Sequence, residues 1–302
     1  MGTKRTVTPR ITSPAPPRTT KRNETMTTTK SQNETTAPDC AGSELMPLLD
    51  CAVKCVVPIS GEKDSQACAK LAVERYGSDA VQGLFCDTQF EHPLTYAHID
   101  RISDMYGIKI HKVCAGSVEI QIRKYKRFPG GGARFCTDEL KIGPSKRFYN
   151  DFARGNGPFE VWYGMRSEES PARKKRYKDK VGEDIYPPHE VLAKYPKALE
   201  KLGVMFRLPI IDWTERDIFE YLDGEENPLY KDGFTRVGCF PCLAAGDKHK
   251  EKAFAFDDVG REHLQMARSL EPLVGRSVFS SKGGRDRNDK CDTFDGCAVC
   301  AI

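Results

Sequence analysis

Residues 56–77 read VVPISGEKDSQACAKLAVERYG. A short apolar run, a small turn at Gly61 and a helical stretch follow one another, the junction that opens a parallel α/β unit. The run AVKCVVPI (52–59) predicts a buried strand. Beyond Ser65, the apolar positions Cys68, Leu71 and Ala72 fall at i, i+3 and i+4, and Gly77 is placed to end the helix. Such a junction leaves backbone N–H groups free at the helix N-terminus, where the helix dipole also favours an anion. Gly61 permits the tight turn, Ser60 and Ser65 offer hydroxyls and Lys63 supplies positive charge. The P-loop pattern G-x-x-x-x-G-K-[ST] is absent. Spacing alone leaves two readings open, a phosphate-holding loop and an ordinary strand-to-helix turn.

Downstream the pattern repeats. VQGLFCD (81–87) predicts a second strand, and HPLTYAHIDRISDMYG (92–107) a helix with Leu94, His98, Ile102 and Met105 on one face. IKIHKV (108–113), FEVWYG (159–164) and VMFRLPII (204–211) predict further strands, and TERDIFEYL (214–222) a helix with Thr214 as its N-cap. Strands alternating with helices define an α/β fold, a parallel twisted sheet with helices on both faces, whose ligands bind at the carboxyl ends of the strands. Residues 1–45 are rich in Thr, Pro, Lys and Arg without apolar periodicity, and predict a disordered basic tail. The main domain is expected over 46–245. A helical segment and a cysteine-containing C-terminal tail follow over 246–302.

Charged residues make up 30% and hydrophobic residues 39%, a globular composition, and no run approaches the roughly 18 apolar residues of a membrane span. No export signal is visible, so a cytoplasmic location is expected, without membrane association. The net charge of +4 suits anionic ligands without demanding nucleic acid. Twelve cysteines in that setting point to buried thiols, metal ligands or redox chemistry rather than disulfides. Cys51, Cys55, Cys68, Cys86 and Cys114 stand alone in apolar context and read as small buried hydrophobes.

SGEKDS (60–65) resembles the S-G-G-x-D-S loop of the PP-loop ATP pyrophosphatases, an adenine nucleotide alpha hydrolase-like fold, and in particular of phosphoadenosine and adenosine phosphosulfate reductases. Further segments are similar in order. FCDTQFEHPLTYAHI (85–99) resembles the D-T-x-x-x-x-P-x-T stretch, and YGMRSEES (163–170) the G-x-R-x-x-E-S motif. RLPIIDWTERDIFEYL (207–222) and NPLYKDGFTRVGCFPC (227–242) resemble the family's two later motifs. The resemblance implies an adenine nucleotide, ATP or a phosphosulfate nucleotide with or without magnesium, held by Ser60, Gly61, Lys63, Asp64, Ser65, Asp87 and Arg166. Asp87 and Thr88 stand where the family contacts the nucleoside, and equally fit a capping pair before the next helix. An arginine at 166 suits phosphate or sulfate because its planar fork donates two bonds at once. Arg173, Lys174, Lys175 and Arg176 form either a solvated charge run or a basic lid. Trp213 and Tyr221 read as core packing. Where the family has a second glycine this chain has Glu62, which would be strained if the position needs a positive φ, and whose carboxylate would then stand near a phosphate.

Cys239 and Cys242 form C-F-P-C, and Cys136 lies where iron–sulfur members carry a cysteine pair. The resemblance implies a [4Fe–4S] cluster on Cys136, Cys239 and Cys242 with its fourth ligand unassigned. The pairs 239/242 and 297/300 allow zinc as the alternative. The family's C-terminal E-C-G-L-H segment, with its nucleophilic cysteine, is missing, and Cys291, Cys297 and Cys300 are the candidates by position. Three functions follow. The first is a phosphosulfate reductase-like enzyme working with a thiol reductant protein. The second is an ATP-dependent sulfur transferase, taking sulfur from a donor and acting on nucleic acid. The third is a non-catalytic nucleotide- or metal-binding partner.

Overall fold

The computed structural model of the chain describes residues 52–130 and 134–279. Six strands form one sheet: β1 (Cys55–Pro58), β2 (Val81–Asp87), β3 (Lys109–Cys114), β4 (Phe159–Trp162), β5 (Ile185–Tyr186) and β6 (Val204–Arg207), in the order β3-β2-β1-β4-β6-β5. Every pairing is parallel except β5 with β6. The helices are α1 (Lys63–Tyr76), α2 (Pro93–Tyr106), α3 (Val118–Tyr125), α4 (Gly143–Asn156), α5 (Pro171–Arg176), α6 (Glu215–Leu222), α7 (Asp247–Phe256) and α8 (Asp258–Val274), with shorter helical turns between them.

Alternation along the central strands sends side chains into two cores. Val56, Leu84, Cys86 and Val161 enter one with Tyr149 and Ala153 of α4. Cys55, Val57, Phe85 and Trp162 enter the other with Ala67, Cys68 and Ala72 of α1, Ile99 and Ile102 of α2, and Ile218 and Leu222 of α6. Near-continuous apolar runs in the middle strands are what burial on both faces requires. The α/β reading therefore holds, and Trp213 and Tyr221 pack at the edge of the second core.

Two local expectations are corrected. The buried face of α2 is Thr95, His98, Ile99 and Ile102, while Leu94 is exposed. Cys114 is exposed, because β3 is an edge strand whose alternate side chains meet solvent. Cys55, Cys68 and Cys86 are buried, and burial raises each thiol above its ordinary range. Cys51 and residues 1–45 lie outside the described residues.

α7 and α8 share a core with earlier parts of the chain. Phe254, Ala267 and Leu270 meet Phe90, Val118, Ile122, Phe135 and Leu243, so residues on both sides of position 245 pack together. Among the described residues no helix is long and apolar enough to cross a membrane.

Candidate functional site

β1 pairs with β2 on one side and β4 on the other, so the direction of chain progression reverses between β1 and β4. At such a switch point the loops leaving the two carboxyl ends part and open a crevice. The loop after β1 carries Ser60–Ser65 and the segment after β4 carries Tyr163–Ser170. Between them lies a cavity of about 320 Å³ lined by Glu62, Lys63, Asp64, Arg166, Glu169 and Glu215, among others.

The first loop is held by its own side chains. Ser65 Oγ donates to the Glu62 carbonyl at 2.8 Å and accepts from the Ser60 amide at 3.2 Å. Gly61 adopts φ +76°, where glycine alone is unstrained. Glu62 has φ −85° in extended backbone, so it carries no left-handed strain, and its Oε1 accepts from the Gly238 amide at 3.3 Å. The carboxylate is thus tied to the segment before Cys239 while still facing the cavity. The Lys63 amide donates to Tyr230 Oη at 3.2 Å. Burial, reinforced by Glu62 and Asp64, raises the Tyr230 phenol, so it stays neutral.

Lys63 and Arg166, both buried, converge here from the two loops. Lys63 is 3% exposed, with Nζ 3.0 Å from Glu215 Oε1, 3.8 Å from Asp64 Oδ2 and near the faces of Phe219 and Tyr230. Arg166 is 4% exposed; its Nε donates to Asp64 Oδ1 at 2.6 Å and its Nη1 to Glu168 Oε2 at 2.9 Å. Burial opposes the Arg166 charge, but Asp64, Glu169 and Glu215 together outweigh it and raise the guanidinium. Gly164 lets these loops meet, since a Cβ there would lie 2.7 Å from both the carbonyl carbon and oxygen of Asp64. Arg173 pairs with Glu169 and faces the cavity, whereas Lys174, Lys175 and Arg176 are exposed, so the basic run divides between site and solvent. Burial raises the Glu169 carboxyl despite the neighbouring Arg173.

Of the residues expected to hold the nucleotide, Lys63, Asp64 and Arg166 line the cavity, and Ser60, Gly61 and Ser65 shape its loop. Asp87 stands apart: its Oδ1 accepts from the Gln89 amide and from Tyr96 Oη, each at 2.7 Å. Tyr96 Oη also reaches Glu91 Oε2 at 3.1 Å, and Glu91 accepts from Thr88 Oγ1 at 2.7 Å. This buried carboxylate, raised by desolvation, belongs to the Asp87 neighbourhood and went unread in the sequence. Glu215, Glu168 and Arg236 were also missed as lining residues. The SEES segment and the first helical turn after Thr214 were the only sequence signals for Glu168 and Glu215, and nothing local marked Arg236.

The cysteines form a separate neighbourhood. Cys136 and Cys239 pack against the core that contains Phe90 and Leu243. Cys239 Sγ lies 3.4 Å from Thr88 Oγ1 and 3.8 Å from Glu91 Oε1, and burial raises its thiol. Among the described residues no group of three His, Cys, Asp or Glu is arranged to hold a metal ion. Cys136, Cys239 and Cys242 are thus not gathered into the thiolate set that an iron–sulfur cluster requires. Cys291, Cys297 and Cys300 lie outside the described residues.

A doubly wound sheet with a charged crevice at its switch point places the molecule among the open α/β folds, whose ligands bind where the strand order reverses. The phosphoadenosine phosphosulfate reductase domain matches residues 54–245, and the chain belongs to that family. An uncharacterised protein of Methanocaldococcus jannaschii is 28% identical over 204 residues, covering 65% of this chain and 38% of that one. An uncharacterised 37.8 kDa protein of Escherichia phage 186 is 26% identical over 257 residues, covering 66% and 70%. The adenosine 5'-phosphosulfate reductase of Anoxybacillus flavithermus is 26% identical over 170 residues, covering 55% and 63%. The chain thus spans little more than a third of the archaeal relative and under two thirds of the reductase.

Proposed function

We propose that the chain binds an adenine nucleotide by its anionic end at the β1–β4 crevice and acts in reductive sulfur chemistry of the adenylyl sulfate or phosphoadenylyl sulfate reductase type. The carrying observation is the convergence of Lys63 and Arg166, both buried and both directed at one cavity from the loops after β1 and β4. Buried cations side by side are costly unless anionic groups meet them, and a phosphate or sulfate pair supplies such groups. Arg173, which also lines the cavity, adds a third positive group.

In the reductase reaction a cysteine thiolate attacks the sulfur of the sulfonucleotide. The sulfur–oxygen bond to phosphate breaks, the nucleotide leaves, and a sulfonated cysteine remains for a thiol reductant to release as sulfite. This chain's part in that step is to hold the leaving phosphate: Lys63 and Arg166 neutralise the charge that grows on it. The nucleophile is proposed from Cys291, Cys297 and Cys300.

A second reading, ATP-dependent sulfur transfer, is favoured by one observation. Five carboxylates (Glu62, Asp64, Glu168, Glu169 and Glu215) face four cations (Lys63, Arg166, Arg173 and Arg236) around the cavity. That balance suits a polyphosphate arriving with a divalent cation.

The deciding experiment incubates the full chain with adenylyl sulfate or its 3'-phosphorylated form plus a dithiol, and separately with ATP and magnesium. Sulfite from the sulfonucleotide supports the reductase, and pyrophosphate from ATP supports the transferase. Nucleotide binding without either product leaves a binding protein. No nucleotide binding at all overturns the reading of the crevice.

A further inference from the structure

Lys63 and Arg166 are already occupied, and by partners of two different kinds. Asp64 is a built-in partner: its side chain is 9% exposed and it holds Arg166 Nε at 2.6 Å. Glu215 and Glu168 are half in solvent, 55% and 51% exposed, against 4% and 5% for the Lys63 and Arg166 side chains they meet. Glu215 Oε1 stands 3.0 Å from Lys63 Nζ, and Glu168 Oε2 stands 2.9 Å from Arg166 Nη1. The two carboxylates are also linked, because Glu168 Oε2 accepts from the Glu215 backbone amide at 2.6 Å. The first turn of α6 is thereby fastened over Lys63, with the Thr214–Asp217 capping box fixing where that turn begins.

Withdrawing a half-hydrated carboxylate costs little, whereas leaving a buried ammonium unpartnered costs much. With Glu215 withdrawn, Lys63 keeps only Asp64 Oδ2 at 3.8 Å, so a second anion is favoured against it, the Glu215 side chain when the crevice is empty and a ligand when it is filled. We propose that Glu215 and Glu168 are displaceable stand-ins for the ligand's two anionic groups, and that they set a charge threshold for entry. A ligand with one anionic group can replace only one of them and remains beside the other carboxylate, which repels it. A ligand with two adjacent anionic groups replaces both. The proposal deepens the nucleotide reading and rests on it for the identity of the natural ligand.

The test uses inorganic pyrophosphate and inorganic phosphate as probes, so that it does not depend on the adenosine moiety. Calorimetric titrations compare the full chain with Glu215→Gln and Glu220→Gln, at fixed ionic strength with a chelator present. Glu220 lies on the same helix, is exposed and pairs with Arg216, so its substitution changes the net charge equally. Glu215→Gln is expected to tighten pyrophosphate about 3- to 10-fold and phosphate by more, narrowing the preference between them. Glu220→Gln is expected to leave both within about 2-fold. In a Lys63→Met background the gain from Glu215→Gln is expected to vanish, the signature of direct coupling. Glu168→Gln repeats the test through Arg166 should the first variant fail to fold, which thermal melting of ligand-free protein reports. Equal effects of the two helix variants, weaker pyrophosphate binding by Glu215→Gln, or no binding to any folded form would overturn the proposal. A tightened pyrophosphate affinity without adenine nucleotide binding would sink only the nucleotide reading. Nucleotide binding unchanged by Glu215→Gln would sink only the displaceable pair.

Discussion

Gly61 and Glu62 stand side by side in the loop and obey opposite rules. A Cβ at Gly61 would lie 2.6 Å from Thr95 Cγ2, and the backbone there has φ +76°. Gly61→Ala therefore combines left-handed strain with a clash against α2, and is expected to lower stability by about 2–4 kcal/mol in urea unfolding. Glu62, at φ −85°, gains nothing from becoming glycine. Glu62→Gly is expected to destabilise by about 1 kcal/mol through chain entropy and the lost bond to Gly238, with no gain from relieved strain. An increase in stability would show that the loop prefers the second glycine after all. At this scale Lys63 and Arg166 were legible because a cation in a strand-to-helix loop and an arginine after a strand each have few other uses. Glu215 was not legible. A glutamate in the first turn of a helix already complements the helix dipole, and nothing local says that its carboxylate reaches back to Lys63.

The elements were read well where their neighbours agree with their sequence and poorly where contact overrides it. β1, β2 and β4 are buried on both faces, so their apolar runs announce them. β5 has two residues and pairs only at the edge, too little for any periodicity to mark it. On α2 the buried face includes Thr95, whose methyl group lies against Gly61 and whose hydroxyl donates to the Val237 carbonyl at 2.8 Å. Apolar spacing counts Thr as polar and so rotates the helix toward Leu94. The junction of β4 with α1 offers the sharpest test of how elements build the site. Gly164→Ala places a methyl group against the Asp64 carbonyl, with only main chain to give way. It is expected to cost about 2–3 kcal/mol and to part the Arg166–Asp64 pair, weakening pyrophosphate binding along with stability. A variant that loses stability yet binds normally would show that the β4–α1 contact is scaffold alone.

Over the molecule as a whole, His98 and His249 shape how stability responds to acid. His98 Nε2 lies 2.8 Å from Gln66 Oε1 and its Nδ1 is buried without a partner; burial, with help from Arg101, pushes the ring down to about 4. His249 has a buried Nε2 without a partner and is likewise pushed to about 4 by burial, Arg236 and Lys252. An unfolded histidine titrates near 6.5, so between roughly pH 6.5 and 4 the unfolded chain takes up protons that the fold refuses. The stability from these rings is present in full above that window and is lost as pH falls through it. Glu91 and Glu169 act in the opposite sense: burial raises their folded carboxyls, so the stability they withhold at neutral pH returns as acid protonates them. The wild-type curve is therefore a difference of opposing terms, and comparison with a variant separates them. At pH 5 each histidine is expected to have cost the fold about 2 kcal/mol relative to pH 7. The double variant His98→Gln, His249→Gln, whose side chains do not titrate, should escape that loss while keeping the contribution of the glutamates. Urea unfolding of both proteins at pH 7 and pH 5 should show the wild type falling by about 4 kcal/mol relative to the variant. A gap between the two that is the same at both pH values would mean that the rings accept protons in the folded state, and that the cores around α2 and α7 admit water.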